Sequence, residues 1–219
     1  MSDQQRRDRG GAATRARILE AAERVVRERG LGRATTKEIA RAAGCSEAAL
    51  YKHYKDKSDL VLAMITSRPG GLRQHLTDLP AQAGEQSLEQ TLTALAECAV
   101  DYFTHAMPLG NALFADPELL EQYRRRMIEL GVGPRRPMRM FATFLRKEQA
   151  AGRVSESADP EAVAAFLLGA CFYRSFLDTL LGEGAEETPE FIHDTVSALL
   201  PVLEPRGAPG DLSPRPQVV

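Results

Sequence analysis

Cysteine is scarce in this 219-residue chain, and its three copies, Cys45, Cys98 and Cys171, lie far apart. None stands in C-x-x-C spacing or beside a pair of histidines. Neither a disulfide framework nor a zinc site is suggested, and reduced thiols in a cytoplasmic protein are the expectation. Long apolar runs are missing as well. The longest, residues 162–173, falls short of the roughly 20 residues that span a bilayer, so no membrane partner is expected. The N-terminus has no apolar h-region, and no signal peptide is expected. Also absent are a Gly-rich phosphate loop, H-E-x-x-H and G-x-S-x-G. No enzyme class, metal or cofactor is therefore indicated. A catalytic site assembled from distant residues is the enzymatic reading that these absences leave open.

What is present is an ordinary core and an uneven charge. Hydrophobic residues make up 43 % and charged residues 26 %, the proportions of a globular protein. The length suits one large domain, or a small one joined to a larger. The net charge of −2 conceals a division. Residues 1–58 hold 14 Lys and Arg against 8 Asp and Glu, a net +6, while residues 59–219 hold 14 against 22, a net −8. A basic front and an acidic back imply that only the front meets a polyanion.

Helical signals succeed one another, and no segment sustains the alternation of a strand, so the fold class is all-α. Residues 1–13, with Arg6, Arg7, Arg9 and paired glycines, read as a flexible basic arm. It either solubilises the chain or reaches a minor groove or phosphates. Thr14 is placed to cap a helix to Arg29, with Ile18, Ala21, Ala22, Val25 and Val26 at helical spacing and Gly30 at its end. Short helices are expected over 36–43 and, capped by Ser46, over 47–54. Another begins near Ser58, and Arg68-Pro69-Gly70-Gly71 kinks or stops it. Ser87 and Gln90 form a capping-box pattern that opens a helix to about Met107. Asp116-Pro117 starts a helix ending at Gly131, and a further one covers 137–151 before Gly152. Asp159-Pro160 and Thr188-Pro189 each set an N-cap residue before a proline, opening helices to about Leu181 and Leu200. Beyond Pro201 the prolines recur with little to bury, and 204–219 read as a disordered Pro-rich tail.

The stretch TTKEIARAAGCSEAALYKHYKDKSDL, residues 35–60, holds two helices too short to be stable alone. Gly44 permits a sharp turn between them, Ala40 lets them cross closely, and Ile39, Ala43, Cys45 and Leu50 form their shared core. This is a helix-turn-helix, whose second helix enters the major groove. The helix before it must supply the rest of the packing surface.

These residues resemble the DNA-binding domain of the TetR-type bacterial transcriptional repressors. The family pattern is approximately T-x-x-x-I-A-x-x-A-G-V-S-x-G-x-L-Y-x-H-F-x-x-K-x-x-L. Thr36, Ile39, Ala40, Ala43, Gly44, Ser46, Leu50, Tyr51, His53, Lys57 and Leu60 match it; Cys45, Ala48 and Tyr54 replace its Val, Gly and Phe. By motif the resemblance covers about residues 14–60. It implies that Thr36 caps its helix and meets a phosphate, that residues 46–53 form the recognition helix, and that Tyr51 and Lys57 touch phosphates. Tyr and Lys can donate to phosphate oxygens, contacts that fix register without reading sequence. Glu47, Ala48 and Lys52 are the candidates for base contact: Lys donates to guanine, Glu accepts from a cytosine amine, Ala packs on a thymine methyl. Glu47 equally suits the helix dipole, and His53 is either a packing residue or a DNA contact.

Far more chain follows than phosphate neutralisation requires. The resemblance implies a helical part that dimerises and carries a small-molecule pocket. The protein would then be a repressor, released from a palindromic double-stranded DNA operator by an apolar or amphipathic effector of unknown identity. Its domains would be the arm at 1–13, a DNA-binding domain at 14–58, a regulatory and dimerisation domain at 59–203, and the tail. The last two helices are the expected homodimer element, with Ala165 and Gly169 permitting close approach in a helix apolar all round. Phe103, Met107, Phe114, Phe141, Phe144 and Phe172, with Tyr123, Met127 and Met138, offer adaptable apolar surface, each either core or pocket. Arg174 meets an anionic ligand, pairs with an acid or lies at the interface. The alternative function is a DNA-binding regulator without an effector, switched by a partner protein or by cysteine oxidation.

Overall fold

The computed structural model describes residues 3–66, 71–81, 84–182 and 187–205, with side chains from Gly10 onward. Ten α-helices and no strand occur among them. An N-terminal bundle is made by α1 (Asp3–Arg29), α2 (Thr36–Ala42), α3 (Glu47–Tyr51) and α4 (Lys57–Thr66). The larger part comprises α5 (Leu72–Asp78), α6 (Leu88–Phe114), α7 (Pro117–Leu130), α8 (Arg135–Ala150), α9 (Pro160–Leu181) and α10 (Thr188–Leu203).

Most helix starts follow the sequence signals. Ser46 accepts from the Ala49 N–H, Asp116 from Leu119, and Asp159 from Glu161 and Ala162; Ser87 and Gln90 close their capping box. Several ends differ from expectation. α1 begins at Asp3, so residues 3–13 of the expected arm are helical. Gln and Arg favour helix there, and paired glycines weaken a helix without ending it. Thr14 lies inside α1, where its Oγ1 donates back to the Gly10 carbonyl at 2.9 Å, the bond of a mid-helix threonine and not of a cap. Thr35, not Thr36, caps α2: its hydroxyl accepts from the Glu38 N–H, and the Glu38 carboxylate accepts from the Thr35 N–H. α3 stops at Tyr51, short of the expected 54.

Two prolines fail to end their helices. α6 continues past Pro108 to Phe114 because Leu109 and Leu113 are buried in the N-terminal core, which outweighs one lost backbone bond. α10 continues past Pro201 to the fully buried Leu203. Its N-cap position is Glu187, without a side-chain cap, and Thr188 is already helical. The expected kink at 68–70 and tail residues 206–219 lie outside the described residues.

Two buried clusters hold the molecule. The first joins Ile18, Ile39, Leu50, Tyr54, Leu60 and Met64 to Leu109 and Leu113 of α6 and Leu119 of α7. α4 therefore packs into the N-terminal core, and the expected division at 58/59 falls within its first turn. The second cluster sets Leu92, Leu95 and Ala96 of α6 against Leu167 and Cys171 of α9, with Phe141 and Leu145 of α8 and Ile192 of α10. Small residues let α6 and α9 approach closely: Cys171 Sγ donates to the Ala96 carbonyl at 3.7 Å, and Ser175 Oγ to the Val100 carbonyl at 3.1 Å. By length and composition alone α9 could cross a membrane, which its central apolar run did not suggest; here one face of it packs against α6, α8 and α10.

Candidate nucleic-acid interface and ligand cavity

Gly44 sits at φ +66 with no atom within 4 Å of where a Cβ would stand, so backbone conformation alone calls for glycine. Its turn swings α3 across α2. Three arginines of α1 then fasten the unit by donating to carbonyls at its helix ends. Arg17 Nε bonds the Ala43 carbonyl at 3.0 Å, Arg24 Nη2 the Ala42 carbonyl at 3.2 Å, and Arg15 Nη1 the His53 carbonyl at 2.8 Å. Arg15 also lies 4.4 Å over the Tyr54 ring, whose hydroxyl donates to the Arg15 carbonyl. Part of the positive charge counted in the sequence thus holds the module together.

Ser46, Ala48, Tyr51 and Lys52 are exposed on one surface of α3 and its C-terminal turn, while Thr36, Glu47 and His53 are half-buried. Thr36 Oγ1 donates to Glu47 Oε1 at 2.6 Å and lies 3.2 Å from the Tyr51 hydroxyl. This small network sets the angle between α2 and α3. Lys37, on α2, is a further exposed cation that the sequence reading passed over.

Lys57 stands apart from this group. Its Nζ donates to the Leu31 carbonyl at 2.7 Å, pinning the α1–α2 connection to the start of α4. Burial holds its pKa below the ordinary lysine value, against the pull of the Asp116 carboxylate. Lys57→Met should therefore destabilise the protein by about 1–3 kcal/mol, the cost of a buried carbonyl left without its donor. Urea unfolding measures this; an unchanged midpoint would assign the ammonium to solvent or DNA instead.

α4 also meets the larger part through charge. Asp59, almost buried, accepts from Arg126 Nε of α7 at 2.9 Å and from the Lys55 N–H at 3.1 Å; Arg126 bonds Glu129 at 3.0 Å. His105 Nε2 of α6 lies 3.3 Å from the Met64 carbonyl.

Helices α4 to α9 enclose a cavity of about 810 Å³. Its apolar wall includes Leu62 and Ile65 of α4, Phe103 and Met107 of α6, Met140 of α8 and Phe172 of α9. Phe103 meets Phe172 edge to face, with centroids 5.5 Å apart. Of the expected pocket residues, Phe103, Met107, Phe114 and Phe172 line it, as do Tyr123 and Met127. Phe141, Phe144 and Arg174 do not. Phe141 and Phe144 stack at 6.3 Å inside the α6–α8–α9 core. Arg174 is buried and ion-paired, 2.7 Å from Asp178 and 3.3 Å from Glu187. Met138 lies outside the lining, on the surface.

Ala165 and Gly169 are both exposed on α9. They share its outer face with Phe166, Tyr173 and Leu180, which are 69 %, 57 % and 64 % exposed. Cys171, on the inner face, has its thiol pushed up to about 12 by burial and so is unreactive.

Comparison with known proteins places these features among relatives. A family model described as "Bacterial regulatory proteins, tetR family" matches residues 18–64. The chain is 46 % identical over 54 residues to the HTH-type transcriptional regulator TtgR of Pseudomonas putida, covering 25 % of this chain and 26 % of TtgR. It thus spans about a quarter of that relative's length. It is 24 % identical over 196 residues to the HTH-type transcriptional repressor Rv1474c of Mycobacterium tuberculosis, covering 88 % of this chain and 92 % of Rv1474c. A crystal structure of a candidate TetR-family transcriptional regulator of Mesorhizobium loti superposes with a TM-score of 0.68 at 21 % identity, over 89 % of this chain and 98 % of that one. At that identity the likeness is one of fold.

Proposed function

We propose that this chain, a member of the tetR family of bacterial regulatory proteins, is a cytoplasmic, homodimeric, sequence-specific DNA-binding regulator without catalytic activity. It acts as a repressor, and an apolar or amphipathic small molecule filling the α4–α9 cavity releases it from a palindromic operator. One observation carries the reading. Leu62 and Ile65 line the cavity, while Leu60 and Met64 of the same helix pack into the DNA-binding core. A ligand that prefers one position of α4 therefore shifts the helix-turn-helix, and only differential affinity for the two positions is needed. The Asp59–Arg126 bridge gives α7, another cavity wall, a second hold on the start of α4.

In this reading Tyr51 anchors a phosphate, Ser46 and Thr36 flank it, and Ala48 and Lys52 face the bases. Glu47 and His53 position the reading helix from partly buried sites. Lys57 reaches a phosphate only by giving up Leu31. Switching by cysteine oxidation is disfavoured at Cys171, whose thiol is protonated and enclosed.

Enrichment from a random duplex pool should return an inverted repeat, because a two-fold dimer reads both halves alike. On that duplex Lys52→Ala should cost roughly 1–3 kcal/mol and relax preference at one position in each half-site. Tyr51→Phe removes one neutral hydrogen bond and should cost about 0.5–1.5 kcal/mol with preference retained. Titrations on selected and scrambled duplexes decide the roles: an equal loss on both from Lys52→Ala makes that lysine a phosphate anchor. Failure to enrich any duplex would sink the regulator reading.

A further inference from the structure

Among the described residues, the charged side chains of the cavity are all of one sign. Arg73 of α5, Arg124 of α7 and Arg136 of α8 line it, and among the described residues no Asp, Glu or Lys does. This occurs within residues 59–219, where acids outnumber bases by 22 to 14. The three arginines are exposed, with Gln74 and Phe114, and mark the rim; the buried Leu62, Leu72 and Met107 form the floor. Arg73 and Arg136 have no ion-pair partner among the described residues. Arg124 lies 3.7 Å from Glu121, which is outside the lining, and both side chains are more than half exposed. Such a pair contributes little and yields readily to a competing anion.

The inner wall adds neutral donors. Tyr102 and Tyr123 line the cavity, and neither hydroxyl has a hydrogen-bond partner among the described residues. Burial raises both phenols, Tyr123 to about 12, so both keep their protons. Among the described residues, a cation entering this space meets three guanidinium groups and no carboxylate. An anion meets the guanidinium forks of α5, α7 and α8, groups suited to carboxylates, and the phenol hydroxyls of α6 and α7.

We propose that the cavity takes an anionic amphiphile. Its apolar chain or ring body lies among Phe103, Met107 and Phe172, and its carboxylate or equivalent head sits at Arg73, Arg124 and Arg136. This rests on the reading of the cavity as the effector site and narrows it to one charge class.

Three probes of equal chain length separate head from body: dodecanoate, dodecanol and dodecyltrimethylammonium. Each is titrated calorimetrically, below its micellar concentration, into the full-length protein. Dodecanoate should bind roughly tenfold tighter than dodecanol, as expected for charge-assisted hydrogen bonds partly open to solvent, and the ammonium should bind weakest. The triple variant R73Q/R124Q/R136Q, altered only at the exposed rim, should lose that preference while its dodecanol affinity stays within about twofold. Far-UV circular dichroism checks that it folds. Equal binding of all three probes overturns the anionic assignment and leaves the cavity reading standing, as does preference for the ammonium. Anion preference that survives in the triple variant overturns the role of the arginines. Binding of no probe, or binding unaffected by M107W, which fills the floor, sinks the cavity reading itself.

Discussion

Gly169→Arg should turn the protein into a monomer and lower its operator affinity by roughly 10²–10⁴-fold, the avidity lost when two reading heads are no longer linked. The position isolates association from folding. Gly169 lies in the middle of α9, and no atom comes within 4 Å of a Cβ built there. The isolated chain therefore has room for the new side chain. Replacing an exposed helical glycine should also favour the helix by up to about 1 kcal/mol. Around it the outer face of α9 presents Phe166, Tyr173 and Leu180 to solvent, each more than half exposed. A two-fold partner would cover that face with its own copy, and an arginine at the contact would bring an unpaired charge into it. Sedimentation should give a monomer, with a melting temperature at or above that of the parent measured at dilution. A variant that still sediments as a dimer places the interface elsewhere. A monomer that binds the operator with parental affinity removes the need for two heads.

The parts of the fold legible in the sequence were those that local chemistry decides. A Ser or Asp followed by exposed backbone N–H groups is a cap wherever it occurs, and Ser46, Ser87, Asp116 and Asp159 all behave so. The helix-turn-helix was legible for the same reason, since Gly44 and its apolar neighbours specify a turn within a few residues. Adjacent threonines were harder. Thr35 and Thr36 are equally good caps in composition, and the choice was decided by Glu38, which stands three residues after Thr35. Other features had no local signal at all. Lys57 bonds a carbonyl 26 positions away, and Arg15 one 38 positions away. The resemblance assigns Lys57 to a phosphate, and neither of these carbonyl partners is visible until the chain is folded. Pro108 looked like a stop, because what sustains α6 beyond it is burial of Leu109 and Leu113 against distant helices.

The aromatic residues of α8 show the same limit, and a measurement can test the correction. Phe141→Ala should lower stability by about 3–5 kcal/mol, the cost of emptying a fully packed aromatic site. Against the roughly 5–15 kcal/mol typical of a folded domain, that leaves a marginal protein. Periodicity places Phe141 and Phe144 on one side of α8, and the sequence cannot tell whether that side meets a cavity or another helix. Phe141 is fully buried against the α6–α9 core and stacked with Phe144, so its loss opens a void with little room to collapse. Phe103 is the contrasting case. It packs edge to face on Phe172 at the cavity wall and is only partly buried, so Phe103→Ala enlarges a space that already exists. Its stability cost should be the smaller of the two, while binding of an apolar probe should weaken or shift toward bulkier compounds. Urea unfolding and probe titration on both variants give the comparison. If Phe141→Ala unfolds near the parental midpoint and instead changes probe binding, then α8 turns its aromatic side toward the ligand, and the division between core and cavity drawn here is wrong.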